Sequence, residues 1–354
     1  MIPFWYIIIA ILWTGFFVLE GFDFGVGMLH SFVGTDEASR RAAINTIGPL
    51  WDGNEVWLIV AGAGMFAAFP GWYATMFSAY NLALVLLLMS LILRGVAFEY
   101  RGKRDAARWR RTWDVLLTVG SVLAPLLIGV ALAGLLHGLP INSSQNFTGS
   151  FWDLLQPYAL WTGVTLVLVC LLHGATFLCL KTTDGMRERS WQVARRVAPV
   201  TAAFVIGFII WTHVTAGKGF ILNLIELLAI LAVIAAVWLV YSHSEGFAFA
   251  ATTVTIASCI LSLFVDLYPN VMVSSTSKAY NLTVHNTSSG GYSLKAMTVV
   301  VIIFLPVVLA YQTWTYYVFR RRVSKQEFQP PTPSSEAAPE PAPRPAAPSG
   351  RPGS

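Results

Sequence analysis

The sequence predicts an all-α polytopic membrane protein, and three observations carry that prediction. Hydrophobic residues make up 56% of the 354 residues and charged residues only 12%, about half the roughly 25% of a soluble chain. Nine stretches of mostly apolar residues recur along the chain, each long enough to cross the ~30 Å hydrocarbon layer as a helix of about 20 residues. The connections between them are short, and the two longest (137–156 and 268–293) are rich in Ser, Asn, Thr and Gly. They leave no room for a folded soluble domain. The 13 Trp and 22 Phe suit lipid and its interfaces. The net charge of +5 reflects where the Lys and Arg sit in such a protein, and no nucleic-acid partner is expected.

The first stretch, 3–29, is too long for a signal peptide. It lacks a basic leader and a small-residue cleavage site, so it should persist in the mature protein. It carries Glu20 and Asp23, with Gly21 and Gly25 as a small-xxx-small step that lets another helix approach closely. The second, 47–69, opens with Gly48-Pro49-Leu50-Trp51-Asp52-Gly53-Asn54-Glu55. The third, 74–98, runs into the basic segment Arg94–Arg111, and the fourth, 114–136, contains Pro125. The fifth (157–180), sixth (197–217), seventh (222–241) and eighth (247–267) hold His173, His213, Glu226 and Asp266. Glu226 and Asp266 are expected near water at the outer helix ends. The ninth, 294–319, contains Pro306 and ends at Arg320-Arg321-Arg322. Beyond it, half of the 18 prolines fall between Pro330 and Pro352, a composition unable to bury a core. The expected division is a transmembrane region, 1–322, and a disordered Pro/Ala-rich cytoplasmic tail, 323–354.

Twenty of the 23 Lys and Arg lie at the connections after the odd-numbered stretches or in the tail; only Lys218, Lys278 and Lys295 lie on the other side. The positive-inside rule then places the N-terminus outside and the C-terminus in the cytoplasm. The basic segment after the third stretch reads first as a topology anchor against anionic lipid.

Ionisable residues inside a span are costly and tend to mark function or pairing. Glu20 and Asp23 are three apart and share a helical face, as do Asp52 and Glu55. The first two stretches run antiparallel, which brings all four acids to the cytoplasmic third, with Arg94 level with them as a charge partner. Several carboxylates gathered in low dielectric cannot all stay ionised. Such a cluster suits a proton relay, and it suits equally a static hydrogen-bonded lock between helices. For Asp52, plain capping of a helix N-terminus is a further reading. Cys170, Cys179 and Cys259 lie in apolar runs without CxxC pairing and read as core residues. No histidine joins a metal-binding spacing, and no phosphate loop or nucleophile motif occurs, so the chain itself offers no place for redox chemistry.

Two blocks resemble a known family. Glu20-Gly21-Phe22-Asp23-Phe24-Gly25-Val26-Gly27-Met28-Leu29 and Trp51-Asp52-Gly53-Asn54-Glu55-Val56-Trp57-Leu58-Ile59 resemble the first- and second-helix signatures of subunit II of cytochrome bd-type quinol oxidases. Arg94–Arg101, Arg108–Asp114 and Tyr268–Met272 extend the likeness collinearly over most of 15–320. The resemblance implies two four-helix bundles plus a peripheral helix, and a heterodimer with subunit I in a bacterial cytoplasmic membrane. By the same resemblance subunit I holds two haems b and a haem d and this chain ligates none. The complex would oxidise quinol and reduce dioxygen to water with protons from the cytoplasm, generating proton-motive force. The resemblance also implies a proton path at the position of Asp52, with Glu20, Asp23 and Glu55 as the other acids. Relatives often carry Asp where this chain has Glu20. A structural quinone or lipid between helices and a small single-helix accessory subunit complete the expected partners. The alternative is a proton-coupled secondary transporter using the same acids. Its usual paired broken helices in repeated halves are not visible in the sequence.

Overall fold

The computed structural model of the chain describes residues 1–219 and 222–329. α1 (Ile2–Val33) begins at a proline that fits the first helical turn. α2 (Glu37–Asn45) follows at once, started by Asp36, whose side chain accepts the Ser39 N–H in a reciprocal capping box. α3 (Trp51–Ala68) stops at Phe69, whose φ of −135° and ψ of 67° are non-helical; Pro70 disfavours the α region for the residue before it. α4 (Pro70–Ala79) then runs to Tyr80, where the chain breaks before α5 (Asn81–Tyr100). α6 (Ala107–His137) ends at Gly138, whose φ of 104° few side-chain-bearing residues adopt. α7 (Pro157–Lys181), α8 (Asp184–Ala216), α9 (Leu224–Tyr241), α10 (Glu245–Leu267) and α11 (Gly291–Val318) complete the helices. The connection before α11 holds a small antiparallel pair, β1 (Asn270–Met272) and β2 (Leu282–Thr283).

Each of the nine apolar stretches overlaps a long helix, and among the described residues eight helices are long and apolar enough to cross a membrane. α3 is not among them. Its 18 residues span about 27 Å, and Asp52, Asn54, Glu55 and three glycines dilute its apolar character. The predicted third stretch is divided at Tyr80 into α4 and α5. α2 and the β pair fall inside segments expected to be plain connections.

α1 is the hub. It packs on α3, α6, α7 and α10, while α5 lies on α6. α7, α8, α9 and α10 pack in a second group joined to the first through α1, α6 and α7. α11 leans on α3 and buries only Leu294. The α1–α7 crossing is tight because Gly25 faces Gly174. A Cβ on Gly25 would stand 2.6 Å from the Gly174 Cα, so backbone packs on backbone there.

The helix ends with most of the basic residues are tied together. Arg101 forks onto Glu37 at 2.9 and 3.0 Å and reaches Asp114 at 2.5 Å, and Asp114 also meets His30 Nε2 at 3.1 Å. After α11 the chain folds back over this end. Val323 N–H donates to the Lys181 carbonyl at 2.7 Å, Lys325 meets Asp36 at 2.6 Å, and Lys325–Phe328 form a 3₁₀ turn. Structured chain thus continues to Gln329, and the remainder of the expected tail, 330–354, lies outside the described residues.

At the opposite end the expectation for two acids fails. Glu226 and Asp266 are buried, not water-facing. The cause is the cap of α9. Glu226 accepts the Asn223 N–H at 2.6 Å and meets His213 Nδ1 at 3.0 Å, while the Asn223 amide donates to Asp266 at 3.1 Å. These bonds draw both carboxyls between α8, α9 and α10.

Candidate functional site: a buried acid cluster between α1, α3 and α5

A three-residue step on α1 puts Glu20 and Asp23 on one face, and both are fully buried. α5 supplies Arg94, 0% exposed. Its guanidinium forms an ion pair with Glu20 and stands 3.7 Å from Glu55 of α3. The same group lies 4.7 Å from the ring centroid of Phe24 and 5.4 Å from that of Phe98, where the aromatic faces attract a cation. Asp23 is held differently. It accepts a 2.7 Å hydrogen bond from the Asn54 amide. Glu20, Asp23, Glu55 and Arg94 are therefore brought together.

Asp52 is placed apart from them. It is exposed on the surface of α3, within electrostatic reach of Glu55. It does not cap the helix, since Leu50 holds the N-cap position and no side-chain cap bond forms there. Glu55 lies between the two regions with 19% of its side chain exposed. The acids thus run from the surface of α3, through Glu55, to the enclosed Glu20 and Asp23.

Three carboxyls in this enclosure share one guanidinium. Charges interact strongly where the dielectric is low, so the surplus of carboxyls leaves capacity for exchangeable protons. Buried Glu20 Oε2 and Asp23 Oδ1 have no donor among the described residues.

Several polar residues were not singled out from the sequence. Asn54 lies inside the second signature block and turns out to be central. Gln312 and Tyr316 of α11 donate to its oxygen at 2.9 and 2.8 Å; their four-residue spacing was the available signal. The His30–Asp114–Arg101 and His213–Glu226–Asp266 groups bring together residues far apart in the chain. An apolar cavity of about 670 Å³ beside α3, α4 and α5, lined by Trp13, Leu58, Phe66, Tyr73, Met76 and Leu84 among others, has room for an isoprenoid or acyl chain.

The model of the cytochrome bd terminal oxidase subunit II family matches residues 1–319. The chain belongs to that family. It is 41% identical over 327 residues to cytochrome bd ubiquinol oxidase subunit 2 of Bacillus subtilis, covering 91% of this chain and 97% of that one. Similarity to cytochrome bd-I ubiquinol oxidase subunit 2 of Escherichia coli is 34% over 362 residues, covering 92% and 96%. Among solved structures, the bd oxidase from Geobacillus thermodenitrificans aligns with a TM-score of 0.69 at 16% identity, over 88% of this chain and 96% of that one. That likeness shows a shared fold. The subunit II match ends just before Arg320, so the returning strap lies beyond it.

Membership of a cytochrome bd family implies a haem-containing complex, and the histidines of this subunit II chain can be tested against that. An axial ligand must present a free ring nitrogen to iron. His30 uses its two nitrogens on the Gly27 carbonyl and Asp114, His173 on Thr252 and the Val18 carbonyl, and His213 on Glu226 and the Gly219 carbonyl. These three buried imidazoles do not fit haem ligation. Nor does any group of three or more His, Cys, Asp or Glu suited to a metal ion occur among the described residues.

Proposed function

We propose that this chain is the non-haem-ligating subunit of a cytochrome bd quinol:oxygen oxidoreductase and that its acid cluster carries protons for the reduction of dioxygen to water. The carrying observation is the graded burial of the acids: Asp52 exposed, Glu55 partly covered, Glu20 and Asp23 enclosed around Arg94. An exposed carboxylate on a membrane helix is costly against lipid. A protein partner covering Asp52 removes that cost and receives the proton, which favours a haem-bearing subunit I on this face. The residues of this chain then have distinct duties. Arg94 stabilises whichever carboxylates are ionised, Asn54 orients Asp23, and Glu55 links the enclosed pair to Asp52.

The same reading takes nine spans, with α3 sheltered from lipid by the partner, arranged as two four-helix bundles and a peripheral α11. The packing of α1, α3, α5 and α6 and of α7 to α10 supports that arrangement. The clustering of Lys and Arg supports an external N-terminus and cytoplasmic C-terminus. The apolar cavity suits a structural quinone tail or a lipid chain. Family membership gives the transporter alternative no support.

The test is Asp52→Asn in the complete oxidase. The expected result is retained haem absorbance with quinol-driven oxygen consumption reduced by about a hundredfold, the lower end of the range for a lost proton-transfer group. Full activity with full haem content would remove the relay role.

A further inference from the structure

Asn54 is the most completely engaged polar side chain at the site. It is fully buried, and its amide nitrogen donates to Asp23 Oδ2 at 2.7 Å and to the Leu19 carbonyl at 3.3 Å. Its oxygen accepts from Gln312 Nε2 at 2.9 Å and from the Tyr316 hydroxyl at 2.8 Å. Both hydrogens and both lone pairs are used, which fixes the amide in one orientation. The flipped amide would set its oxygen against the Asp23 carboxyl and its NH₂ against two donors.

The two donors come from an unusual helix. α11 buries only Leu294; it leans on α3 and otherwise touches α1 through Trp5 and Phe22. Its side-chain hydrogen bonds to the rest of the fold are few. At one end Trp5 Nε1 meets the Leu294 carbonyl at 3.2 Å and Thr298 at 3.1 Å. Further along, Gln312 and Tyr316 meet Asn54. A weakly packed helix is therefore joined by two hydrogen bonds to the residue that holds Asp23.

Resting on the reading that Asp23 belongs to the proton path, we propose that Asn54 is a positioning residue for Asp23 and that α11, through Gln312 and Tyr316, sets its orientation and so governs proton exchange at the cluster. While α11 is seated, the Asn54 amide donates to Asp23 and supports the carboxylate. With both donors withdrawn, the amide is free to turn its oxygen toward Asp23 and accept from the protonated acid instead. A hydrogen bond to the charged form favours that form, and one to the neutral form favours the other. The ionisable neighbours of Asp23 are Glu20 on α1, Glu55 on α3 with Asp52 beyond it, Arg94 on α5 and Tyr316 on α11. From α7, Cys170 faces Glu20 and Arg94, and His173 is bound to the Val18 carbonyl and Thr252. All but Tyr316 are retained in the test.

The experiment measures the pH profile of quinol-driven oxygen consumption by the complete oxidase carrying Gln312→Leu with Tyr316→Phe. Haem content should match the unaltered complex, and the profile should move to higher pH by about one unit. Should the double variant fail to assemble, the single variants carry the test, each removing one donor and giving a smaller shift in the same direction. Asp23→Asn is measured alongside. An unchanged profile in the donor variants, with Asp23→Asn impaired, overturns the role of Asn54 and α11 while the proton path stands. Unimpaired Asp23→Asn overturns the path itself.

Discussion

Arg94 holds the ionic balance of the acid cluster, and removing it has a foreseeable effect. Arg94→Leu strands Glu20 as a buried carboxyl without its partner, which costs about 3–5 kcal/mol. A marked fall in thermal stability of the detergent-solubilised complex is expected. Glu20→Gln combined with Arg94→Gln should recover part of the loss, because Glu20 is no longer a carboxylate deprived of its ion-pair partner, while Asp23 keeps its Asn54 hydrogen bond. At the returning strap, the Lys325 ammonium and then the Ser39 N–H hold the Asp36 carboxyl below the usual carboxylate range. A lowered acid stabilises the folded arrangement above the ordinary carboxylate range, and the contribution disappears as pH falls through the lowered value. The pair is well exposed, so Lys325→Ala should cost no more than about 1 kcal/mol. Proteolysis after the last helix should accelerate at acid pH, and Lys325→Ala should weaken that pH dependence, the remainder resting on the Arg322–Glu245 pair. The acids and Arg94 were readable from the sequence because charge inside an apolar run stands out. Gln312 and Tyr316 were not, since their partner, Asn54, lies on a helix distant in the chain.

The crossing of α1 and α7 depends on two glycines. Gly25→Ala introduces a carbon 2.6 Å from the Gly174 Cα, inside any normal contact, so the helices must separate. Gly62 of α3 has nothing within 4 Å of an added Cβ, and Gly62→Ala should leave stability unchanged or slightly raise it. Comparing the melting temperatures of the two variants checks the contrast. The long helices were legible because an apolar run of span length has few alternatives. α3 was legible as a helix, but its acids and glycines leave it short of what lipid alone would accept. α2 was hidden in a polar connection, although Asp36 and Ser39 form a recognisable cap. The β pair is too short to leave a pattern of alternation, and Glu226 was misjudged because the Asn223 cap folds it inward.

The molecule presents two unlike surfaces. The outward faces of α3 and α5 are largely apolar yet carry Asp52, whereas α11 exposes an apolar surface along most of its length. Orientation in the membrane can be tested directly because all three native cysteines are buried and free. Lys103→Cys, on the exposed connection after α5, should react with an impermeant thiol reagent only from the cytoplasmic side. Ser144→Cys, on the exposed connection after α6, should react only from outside. The reverse pattern would overturn the proposed topology. The family was legible because the two acidic signature blocks are distinctive, whereas the way α11 closes on Asn54 depends on tertiary packing that no local pattern encodes.

The pairing of Glu20 with Arg94 also bears on how the protein is made. α1 leaves the ribosome with two acids, and the cation that pairs with Glu20 arrives only when α5 has been synthesised. An early helix with that burden is poorly suited to settling alone among lipid tails. The expected consequence is that α1 and α5 enter the bilayer together, making release a joint event for the first half of the chain.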